Sequence, residues 1–456
     1  MDVKEKNIVI VGLARSGIAA AKRLQQLGAH VTVTDAKSRA ALLESIEQLP
    51  SGVQLDVGGH SPDTLGKAEF VVVSPGVPMA IPFLQRARER GVEVISEVEL
   101  AYRLMPGEYV AVTGTNGKST TTSLIGEMLK AAGKNTLVAG NIGTPLISLN
   151  PGLSEMPSFV VELSSFQLEG IDRFRPHVAV LLNISPDHLD RYADITAYGE
   201  AKARIFANQE ENDFAVLNMD DPAVAAMAPG LRAVVVPVSL KEPVVQGVYF
   251  GDGRIESSLA ACPGEIVAVK EMQIRGVHNI ENAMAAAAAA LVSGCDLAAV
   301  QSVLKTFPGL PHRMEAVGTV GGVHFINDSK GTNVGAVIRS LESLDAPVHL
   351  IAGGQGKGIG YEMLRKVVGK RVRTLVLIGE AAESMARDLE GTTEIRRAAT
   401  LGEAVEEAFQ RADAGDYVLL SPACASFDMF RDFEERGTRF AAEVNRLKSI
   451  HESGRR

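Results

Sequence analysis

The stretch YVAVTGTNGKSTTTSLIGEML, residues 109–129, constrains the fold of this chain more than any other. Its apolar run VAV is typical of a buried strand, and the apolar residues after Thr120 recur at helical spacing. Gly114 and Gly117 lie between the two and would let backbone N–H groups close around an anion. The sequence therefore predicts a strand, a phosphate-binding loop and a helix, the core of an α/β nucleotide-binding domain.

The residues that follow the second glycine of this loop have the chemistry of a nucleotide site. Lys118 adds a positive charge at the positive end of the helix dipole. Ser119 or Thr120 can place a hydroxyl on Mg²⁺. In the usual motif four residues separate a first glycine from the Gly-Lys pair, and that position falls at Ala111 or Val112, neither of which is glycine. The loop is therefore a shortened variant, and the alternative is a glycine-rich turn that binds nothing.

The composition is that of a soluble globular protein with several domains. A chain of 456 residues, 46% of them hydrophobic and 22% charged, is too long for one core. Its formal net charge of −9 argues against general nucleic-acid binding. The longest apolar run, Ala283–Val292, is too short to span a bilayer, and the charged start MDVKEKN is unlike a secretory signal. With three scattered cysteines and no CxxC pair, we expect a cytoplasmic protein without a membrane span.

The segment NIVIVGLARSGIAAAKRLQQLGAHVTVTD has the layout of a dinucleotide-binding βαβ unit. An apolar strand leads into a glycine, a helix opens near Ser16, and a second strand ends at Asp35. The middle glycine of the usual fingerprint is missing. A further turn with Ser74 and Gly76 follows the strand EFVVV, at the edge where open parallel sheets bind ligands. Residues 1–95 are predicted to form a Rossmann-like nucleotide-binding domain, with a ligand-free scaffold as the alternative.

Strands and helices continue to alternate over residues 96–308, which we predict to be a central P-loop ATPase-like domain with a parallel sheet. One strand ends on Glu162, and NISPDHLDRY follows another strand and carries His188. Acidic and histidine side chains at strand ends beside a phosphate loop can hold Mg²⁺. If His188 is considered on its own, the alternative is a histidine that only stabilises a loop. HNIENAMAA opens a helix with Asn279 and Asn282 on one face.

The proline- and glycine-rich segment FPGLPH leads into a third region, residues 309–456. Strands alternate with helices there too, which predicts a second Rossmann-like α/β domain with a mostly parallel sheet. Asp328 follows one of its strands, and Lys330, Thr332 and the next asparagine are expected to open a helix. The predicted fold class is thus α/β in three domains.

Seven segments occur in an order that resembles a known family. They are GTNGKST, VVELSSFQLE, NISPDHLDRY, HNIENAMAA, PHRME, NDSKGTN and LSPACASFDMF. Together they resemble the Mur ligases, which are ATP-dependent amino-acid ligases of peptidoglycan synthesis. The start GLARSG and the segment LSPACASFDMFRDFEERG are most similar to the members that add D-glutamate to UDP-N-acetylmuramoyl-L-alanine. The resemblance implies that activity, with ATP, D-glutamate and the UDP-sugar as substrates and an acyl-phosphate intermediate.

The resemblance also implies roles for individual positions. The residues implied to bind ATP are Gly114, Thr115, Asn116, Gly117, Lys118, Ser119, Thr120, Asn279, His312, Arg313 and Asp328. Those implied to bind the UDP-substrate are Ser16, Asp35, Ser74, Gly76 and Asn141. Those implied to bind D-glutamate are Lys330, Thr332, Ser426 and Phe433.

A magnesium site with two ions is implied as well. Its ligands would be Ser119, Glu162, His188 and Lys202, and the last three together with Lys118 would be catalytic. Lys202 falls where the family has a carbamylated lysine, and a carbamate would supply the oxygen ligands that one glutamate cannot. From the sequence alone, a lysine in an amphipathic helix is more simply a solvated surface charge. The protein is expected to act as a monomer.

Three other functions stay open at this stage. A folylpolyglutamate-type ligase shares the central and C-terminal motifs, but the first 95 residues argue against it. A nucleotide-gated binding protein that only hydrolyses ATP slowly would differ by releasing phosphate independently of an amino acid. An NAD-dependent oxidoreductase rests on the first βαβ unit alone, where the middle glycine is missing.

Overall fold

The computed structural model describes residues 1–150, 156–189, 191–356, 358 and 360–453. Its internal contacts divide the chain into two compact units. The first unit comprises residues 1–184, 196–271 and 281–305, and the second comprises residues 185–195, 272–280 and 306–456. Each unit is built from parallel-rich sheets covered by helices.

The first unit begins with a five-stranded parallel sheet. Its strands are β1 (Asn7–Val11), β2 (His30–Asp35), β3 (Gln54–Val57), β4 (Phe70–Val73) and β5 (Glu93–Ser96). Its helices are α1 (Arg15–Gln26), α2 (Leu43–Glu47), α3 (Pro82–Glu89) and α4 (Glu97–Leu104). The strand order β3-β2-β1-β4-β5 reverses direction between β1 and β4. The carboxyl ends of these two strands therefore flank the crevice where an open parallel sheet binds ligands.

The second sheet of the first unit has nine strands. They are β6 (Glu108–Thr113), β7 (Thr136–Gly140), β8 (Ser158–Glu162), β9 (Val178–Leu181), β10 (Phe214–Asn218), β11 (Val234–Ser239), β12 (Val248–Gly251), β13 (Arg254–Ser257) and β14 (Gly264–Ala268). The associated helices are α5 (Lys118–Ala131), α6 (Ser165–Leu168), α7 (Ile195–Ala203), α8 (Pro222–Ala225), α9 (Val277–Val292) and α10 (Leu297–Thr306). The order is β14-β13-β12-β11-β10-β9-β6-β8-β7. β13 pairs antiparallel with both of its neighbours, β12 and β14, so this predicted parallel sheet has an antiparallel margin.

The neighbouring strands β9, β6, β8 and β7 are parallel, so their carboxyl ends share one edge of the nine-stranded sheet. Val112 in β6 lies opposite Glu162 in β8, which in turn lies opposite Gly140 in β7. β9 ends at Leu181. The polar residues that follow these strands are therefore assembled at one edge by the sheet itself.

The second unit contains a six-stranded sheet. Its strands are β15 (Glu315–Val320), β16 (Val323–Asn327), β17 (Val348–Gly353), β18 (Val372–Ile378), β19 (Glu394–Arg397) and β20 (Tyr417–Leu420). Its helices are α11 (Val334–Glu342), α12 (Arg365–Arg371), α13 (Ala382–Asp388), α14 (Leu401–Gln410) and α15 (Phe433–Ser453). The order is β15-β16-β20-β17-β18-β19, and only β15 is antiparallel. Successive residues of β17, such as Leu350 and Ile351, belong to separate apolar clusters on the two faces of the sheet.

The three sheets confirm the predicted α/β class, whereas the domain boundaries at 95/96 and 308/309 stay predictions. One detail of the predicted structure is wrong. Lys330 and Thr332 do not open a helix, because α11 begins at Val334 with Asn333 as its N-cap. Both residues lie in the turn before the helix. In the part of the chain that the structure describes, no helix is long and apolar enough to cross a membrane.

A buried carboxylate joins α4 to the segment before β9. Glu99 is fully buried (0% exposed) and accepts hydrogen bonds from the backbone N–H groups of Asp172 (2.9 Å), Arg173 (3.0 Å) and Phe174 (2.9 Å). It also accepts from Nε of Arg103 at 2.6 Å. The carboxylate therefore has donors on both oxygens, which offsets the cost of burying its charge.

We expect Glu99→Gln to destabilise the first unit by about 2–4 kcal/mol, because the amide removes the charge and turns a donor toward other donors. The matched control is Glu93→Gln, since Glu93 pairs with the same Arg103 (2.8 Å) from a more exposed position. That change should cost less than about 1 kcal/mol. Urea unfolding followed by circular dichroism measures both, and equal midpoints for the two variants would contradict the role given to Glu99.

Candidate active site

The phosphate-binding loop connects β6 to α5 and depends on two glycines. Gly114 has φ +147° and Gly117, the N-cap of α5, has φ +87°. A Cβ on Gly117 would overlap Oδ1 of Asn282, which also accepts from the Thr121 hydroxyl at 3.4 Å. Both the backbone angles and the available space therefore require glycine at position 117, where the first N–H groups of α5 begin.

Asn183, which follows β9, holds the phosphate-binding loop from the neighbouring strand. Its backbone carbonyl accepts from the N–H of Thr115 at 2.9 Å, and its side-chain Oδ1 accepts from the N–H of Asn116 at 2.8 Å. Its Nδ2 donates to the carbonyl of Asn116 at 3.1 Å. Asn183 was not predicted as a site residue. The signal available in the sequence was an asparagine directly after an apolar strand beside the loop.

Lys118 is the first residue of α5. Its side chain is half-buried and curls back over the loop. Nζ donates to the carbonyls of Gly114 and Thr115, both at 2.9 Å. The ammonium group is thus positioned beside the backbone that would surround an anion, as the predicted role requires.

Lys202 lies in α7 and is almost completely buried (1% exposed), so the alternative of a solvated surface lysine is wrong. Its Nζ donates to the Gly114 carbonyl at 2.8 Å and lies 4.5 Å from the ring centre of Tyr198. Two lysines from different helices therefore converge on one carbonyl oxygen of the phosphate-binding loop.

Glu162 ends β8 at the same sheet edge and is buried. Its Oε1 accepts from Nδ2 of Asn141 at 2.8 Å, and its backbone carbonyl accepts from the N–H of Asn141 at 2.8 Å. Asn141 follows β7 and is exposed. Glu162 therefore fixes the direction of the Asn141 side chain, which is predicted to bind the UDP-substrate.

The donor set of the first unit suits Mg²⁺ in kind. Ser119 and Thr120 offer buried hydroxyls in the first turn of α5, and Glu162 offers a carboxylate, all of them hard oxygen donors. Within the described ranges, no group of three or more histidine, cysteine, aspartate and glutamate side chains is placed to hold a metal. A single carboxylate provides too few oxygen ligands for two Mg²⁺ ions. The remaining ligands would have to come from other oxygen atoms, including those of ATP.

At the crevice of the five-stranded sheet, Ser74 and Gly17 bring β4 and α1 close to the end of β1. The hydroxyl of Ser74 donates to the carbonyl of Gly12 at 2.8 Å, and a Cβ on Gly17 would overlap that same carbonyl. Ser16 is half-buried in the first turn of α1, and Gly76 is exposed. The predicted residues from β4 and α1 are therefore at the switch point of the sheet.

Asp35 ends β2 near this crevice, and its carboxylate already serves the local backbone. Oδ2 accepts from the N–H of Leu13 at 2.8 Å, and Oδ1 accepts from the N–H of Lys37 at 2.8 Å. These bonds hold the turns after β1 and β2 together. Each carboxylate oxygen keeps a second lone pair, so the predicted contact with the UDP-substrate stays a prediction.

In the second unit, Asp328 lies at the centre of the sheet edge formed by β16 and β20. Its Oδ2 accepts from the hydroxyls of Ser340 and Ser421, both at 2.7 Å. Burial raises the pKa of Asp328 to about 6, while the two hydroxyls and Arg313 act in the opposite direction. The carboxylate is fixed in place by hydroxyls from α11 and from the residue that follows β20, and its contact with ATP stays a prediction.

His312 precedes β15 in a left-handed conformation, with φ +61°. Its ring Nδ1 lies 2.9 Å from Nδ2 of Asn327, and its backbone N–H donates to Glu315 at 2.8 Å. A Cβ on Gly437 in α15 would overlap the imidazole. His312 is thus fixed by close packing against α15.

The residues assigned to D-glutamate lie in two turns and in the first turn of α15. Nζ of Lys330 lies 3.7 Å from the ring centre of Phe433, within the range of a cation–π interaction. The N–H of Thr332 donates to the carbonyl of Lys330 at 2.8 Å. Ser426 is buried, and its carbonyl accepts from the N–H of Phe430 at 2.8 Å.

Arg436 connects these two turns and was missed at the sequence level. It is 1% exposed and donates to Ser329 Oγ (3.0 Å), to the Ser329 carbonyl (2.9 Å), and to the carbonyls of Cys424 and Ala425 (3.2 Å each). Burial lowers the pKa of Arg436 to about 10, which leaves it charged at neutral pH. The sequence gives no signal for this arginine, because its partners are three backbone carbonyls and one serine hydroxyl.

His188 and Asn279 belong to segments that group with the second unit. His188 has φ +54°, and its carbonyl accepts from the N–H groups of Arg191 (3.0 Å) and Tyr192 (3.1 Å). Nδ2 of Asn279 donates to the carbonyl of Arg275 at 2.8 Å. Asn282, predicted to face the same way, lies in the first unit. The structure thus describes the predicted residues in two groups, one in each unit.

Three family models match successive parts of the chain. They are the Mur ligase MurD-like N-terminal domain over residues 6–96, the Mur ligase middle domain over residues 112–290, and the Mur ligase glutamate ligase domain over residues 312–424. Together they cover most of the chain.

Close relatives align over almost the full length. UDP-N-acetylmuramoylalanine–D-glutamate ligases of Geobacter metallireducens and of Geotalea uraniireducens are each 50% identical over 448 residues, which is 98% of this chain and 99% of theirs. Among solved structures, the pseudomurein peptide ligase type C of Methanothermus fervidus has a TM-score of 0.62 at 21% identity, covering 96% of this chain and 99% of that one.

The MurF ligase of Thermotoga maritima in complex with ADP has a TM-score of 0.61 at 17% identity, covering 97% of this chain and 96% of that one. At this level of identity the two structural neighbours bear on the fold alone. The family models and the near-full-length relatives show more: the chain belongs to the Mur ligase family.

Proposed function

We propose that the protein is an ATP-dependent ligase that joins D-glutamate to UDP-N-acetylmuramoyl-L-alanine in peptidoglycan biosynthesis. One observation carries the proposal: the relatives that are 50% identical over 98% of this chain are named for that reaction. The phosphate-binding loop supports it, since the Nζ atoms of two lysines donate to one of its carbonyls. We propose further that the enzyme acts in the cytoplasm as a monomer.

The chemistry requires an activated carboxylate. The alanine carboxylate of the UDP-substrate attacks the γ-phosphorus of ATP, which forms an acyl phosphate and releases ADP. The amine of D-glutamate then attacks the acyl carbon, loses a proton, and the tetrahedral intermediate expels phosphate to leave the amide. No protein nucleophile is needed, and buried Cys424 packs beside Tyr361 with its sulfur 3.1 Å from the hydroxyl.

Each group of residues has a proposed role in this reaction. Lys118 and the N–H groups at the start of α5 would bind the phosphates and offset charge on the transferred phosphoryl group. Asp328, Arg313, His312 and Asn279 would hold ATP, and the crevice with Ser16, Asp35, Ser74, Gly76 and Asn141 would bind the UDP-sugar. Lys330, Thr332, Ser426 and Phe433 would orient D-glutamate.

Two Mg²⁺ ions, held by Ser119, Glu162, His188 and Lys202, would when bound neutralise charge on the ATP phosphates. Lys202 can ligate Mg²⁺ only after reaction with CO₂, because an ammonium group has no lone pair. Its neutral amine adds to CO₂ and releases a proton, which leaves a carbamate with two oxygens and a negative charge. Burial supports this, since it disfavours the ammonium form of a lysine.

The proposed function is tested by phosphate release with UDP-N-acetylmuramoyl-L-alanine, MgATP and a panel of D- and L-amino acids. We expect release to depend on the UDP-sugar and on D-glutamate together. Release with no amino acid would favour the nucleotide-gated binding protein, and release with a folate and L-glutamate would favour the folylpolyglutamate-type ligase. Either result would overturn the proposal.

Replacing Lys118 by alanine should reduce kcat/KM by about 10³-fold, the scale on which a charged group at a transferring phosphoryl acts. Folding should survive, because the side chain is only half-buried. Lys130→Ala in the same helix is the matched control, since Lys130 pairs with Glu127 on the surface at 2.9 Å and should keep full activity. A Lys118→Ala variant with near-normal turnover would refute the role of the loop.

For Lys330→Ala, we expect the KM for D-glutamate to rise roughly 10- to 100-fold, the value of one charge-assisted hydrogen bond, with little change in the KM for ATP. Lys366→Ala, at an exposed position on α12, is the control and should leave both constants unchanged. Steady-state kinetics with each substrate varied in turn gives the comparison. Equal increases in both KM values would assign Lys330 to ATP instead.

Lys202→Ala should lose about 10³-fold in kcat, and acetate should restore part of the activity by supplying a carboxylate in the space vacated by the side chain. Lys118→Ala, which removes a cation rather than a metal ligand, should not respond to acetate. Activity is measured over a series of acetate concentrations at constant ionic strength. The carbamate is excluded if Lys202→Ala retains full activity, or if acetate restores both variants alike.

A further inference from the structure

The side chain of Asn333 makes contacts in two directions from a buried position. Its Oδ1 accepts from the N–H of Ala336 at 2.8 Å and so caps α11. Its Nδ2 donates to Oδ2 of Asp187 at 3.2 Å. Asn333 is 9% exposed and Asp187 is 5% exposed, so water competes little for this hydrogen bond. The side-chain amide of Asn333 thus accepts a hydrogen bond from α11 and donates one to Asp187, 146 residues away in the sequence.

Asp187 in turn shapes the backbone around His188. Its other oxygen, Oδ1, accepts from the N–H of His188 at 3.0 Å. His188 is in the left-handed region with φ +54°, which a residue with a Cβ adopts only when its surroundings hold it there. The carbonyl of His188 then accepts from the N–H groups of Arg191 and Tyr192. The direction of the imidazole therefore depends on a turn that Asp187 helps to close.

On its other side, Asn333 closes the turn between β16 and α11. This turn begins at Asp328, which is assigned to ATP, and carries Lys330 and Thr332, which are both assigned to D-glutamate. The backbone of the turn is fixed by hydrogen bonds from the N–H of Gly331 to Asp328 and from the N–H of Thr332 to Lys330, both at 2.8 Å. Asn333 therefore links the end of the substrate turn to the start of the His188 turn.

We propose that Asn333 is a positioning residue that couples the D-glutamate-binding turn to the His188 turn, through its hydrogen bond to Asp187. This inference rests on the proposed function, because it takes His188 as a metal ligand and Lys330 as a substrate ligand. The bond joins a neutral donor to a carboxylate, the kind that is strongest when buried. Order in one turn then favours the binding geometry of the other.

Three sets of variants separate the tether from the helix cap. Asn333→Ser keeps a good N-cap but has no donor long enough to reach Asp187. Asn333→Asp also keeps the cap and places a second carboxylate against Asp187. Combining Asn333→Asp with Asp187→Asn exchanges donor and acceptor and restores the hydrogen bond. The single variant Asp187→Asn shows the effect of removing the charge of Asp187, and the exchanged pair is compared with it.

The first measurement is hydrogen–deuterium exchange at the amides of His188, Arg191 and Tyr192 in the full-length protein without substrates or metal. We expect exchange to be about 10-fold faster in Asn333→Ser, at least as fast in Asn333→Asp, and within about threefold of wild type in the exchanged pair. Amides of β17 serve as the internal control for intact folding. Unchanged exchange in Asn333→Ser, or no recovery in the exchanged pair, would overturn the proposal.

The second measurement is steady-state ligation. Asn333→Ser should lower kcat and raise both the KM for D-glutamate and the half-saturating Mg²⁺ concentration, each by roughly 5- to 20-fold, with the KM for the UDP-substrate unchanged. The exchanged pair should recover relative to Asp187→Asn alone. If wild-type protein forms no amide, the proposed function fails whatever the exchange shows. If wild type is active and Asn333→Ser matches it, the coupling fails and the proposed function stands.

Discussion

The carbonyl of Gly114 accepts hydrogen bonds from two lysines, Lys118 at 2.9 Å and Lys202 at 2.8 Å, and the part of the candidate site that lies in the first unit is arranged around it. Two lysine side chains that share one oxygen repel each other when both are protonated. A polyphosphate relieves that repulsion, and a carbamate on Lys202 relieves it in another way by reversing one charge. Lys202 reaches the carbonyl because α7 packs it against the loop with almost no solvent around it.

Sequence patterns predicted the parts of the fold that depend on local chemistry. The apolar runs predicted the strands, and the two glycines predicted the loop before α5. Both patterns are informative because buried strands favour apolar residues and positive φ angles favour glycine. The parallel sheet then brought Glu162 and Asn141 together without further information. Side chains that act at long range were not predicted. Asn183 bonds a loop 67 residues away, and Arg436 donates to the hydroxyl and the backbone carbonyl of Ser329, 107 residues away.

Two positions show how backbone groups determine what the side chains near the candidate site do. Asp35 was predicted from its place after a strand, and its carboxylate holds two backbone N–H groups. Lys330 was predicted to open a helix, but Asn333 is the better cap because its short amide reaches the N–H of Ala336. Lys330 is thereby left in a turn, where its ammonium group lies over Phe433 instead of along a helix.

The most direct test of acyl-phosphate chemistry follows the oxygen atoms of the alanine carboxylate. UDP-N-acetylmuramoyl-L-alanine labelled with ¹⁸O in both carboxylate oxygens would be turned over with unlabelled MgATP and D-glutamate, and the released phosphate analysed by mass spectrometry. If ATP phosphorylates the carboxylate, one ¹⁸O atom leaves with each phosphate and the other remains in the new amide. Phosphate without the label, formed at the same rate as the amide product, would contradict the proposed mechanism.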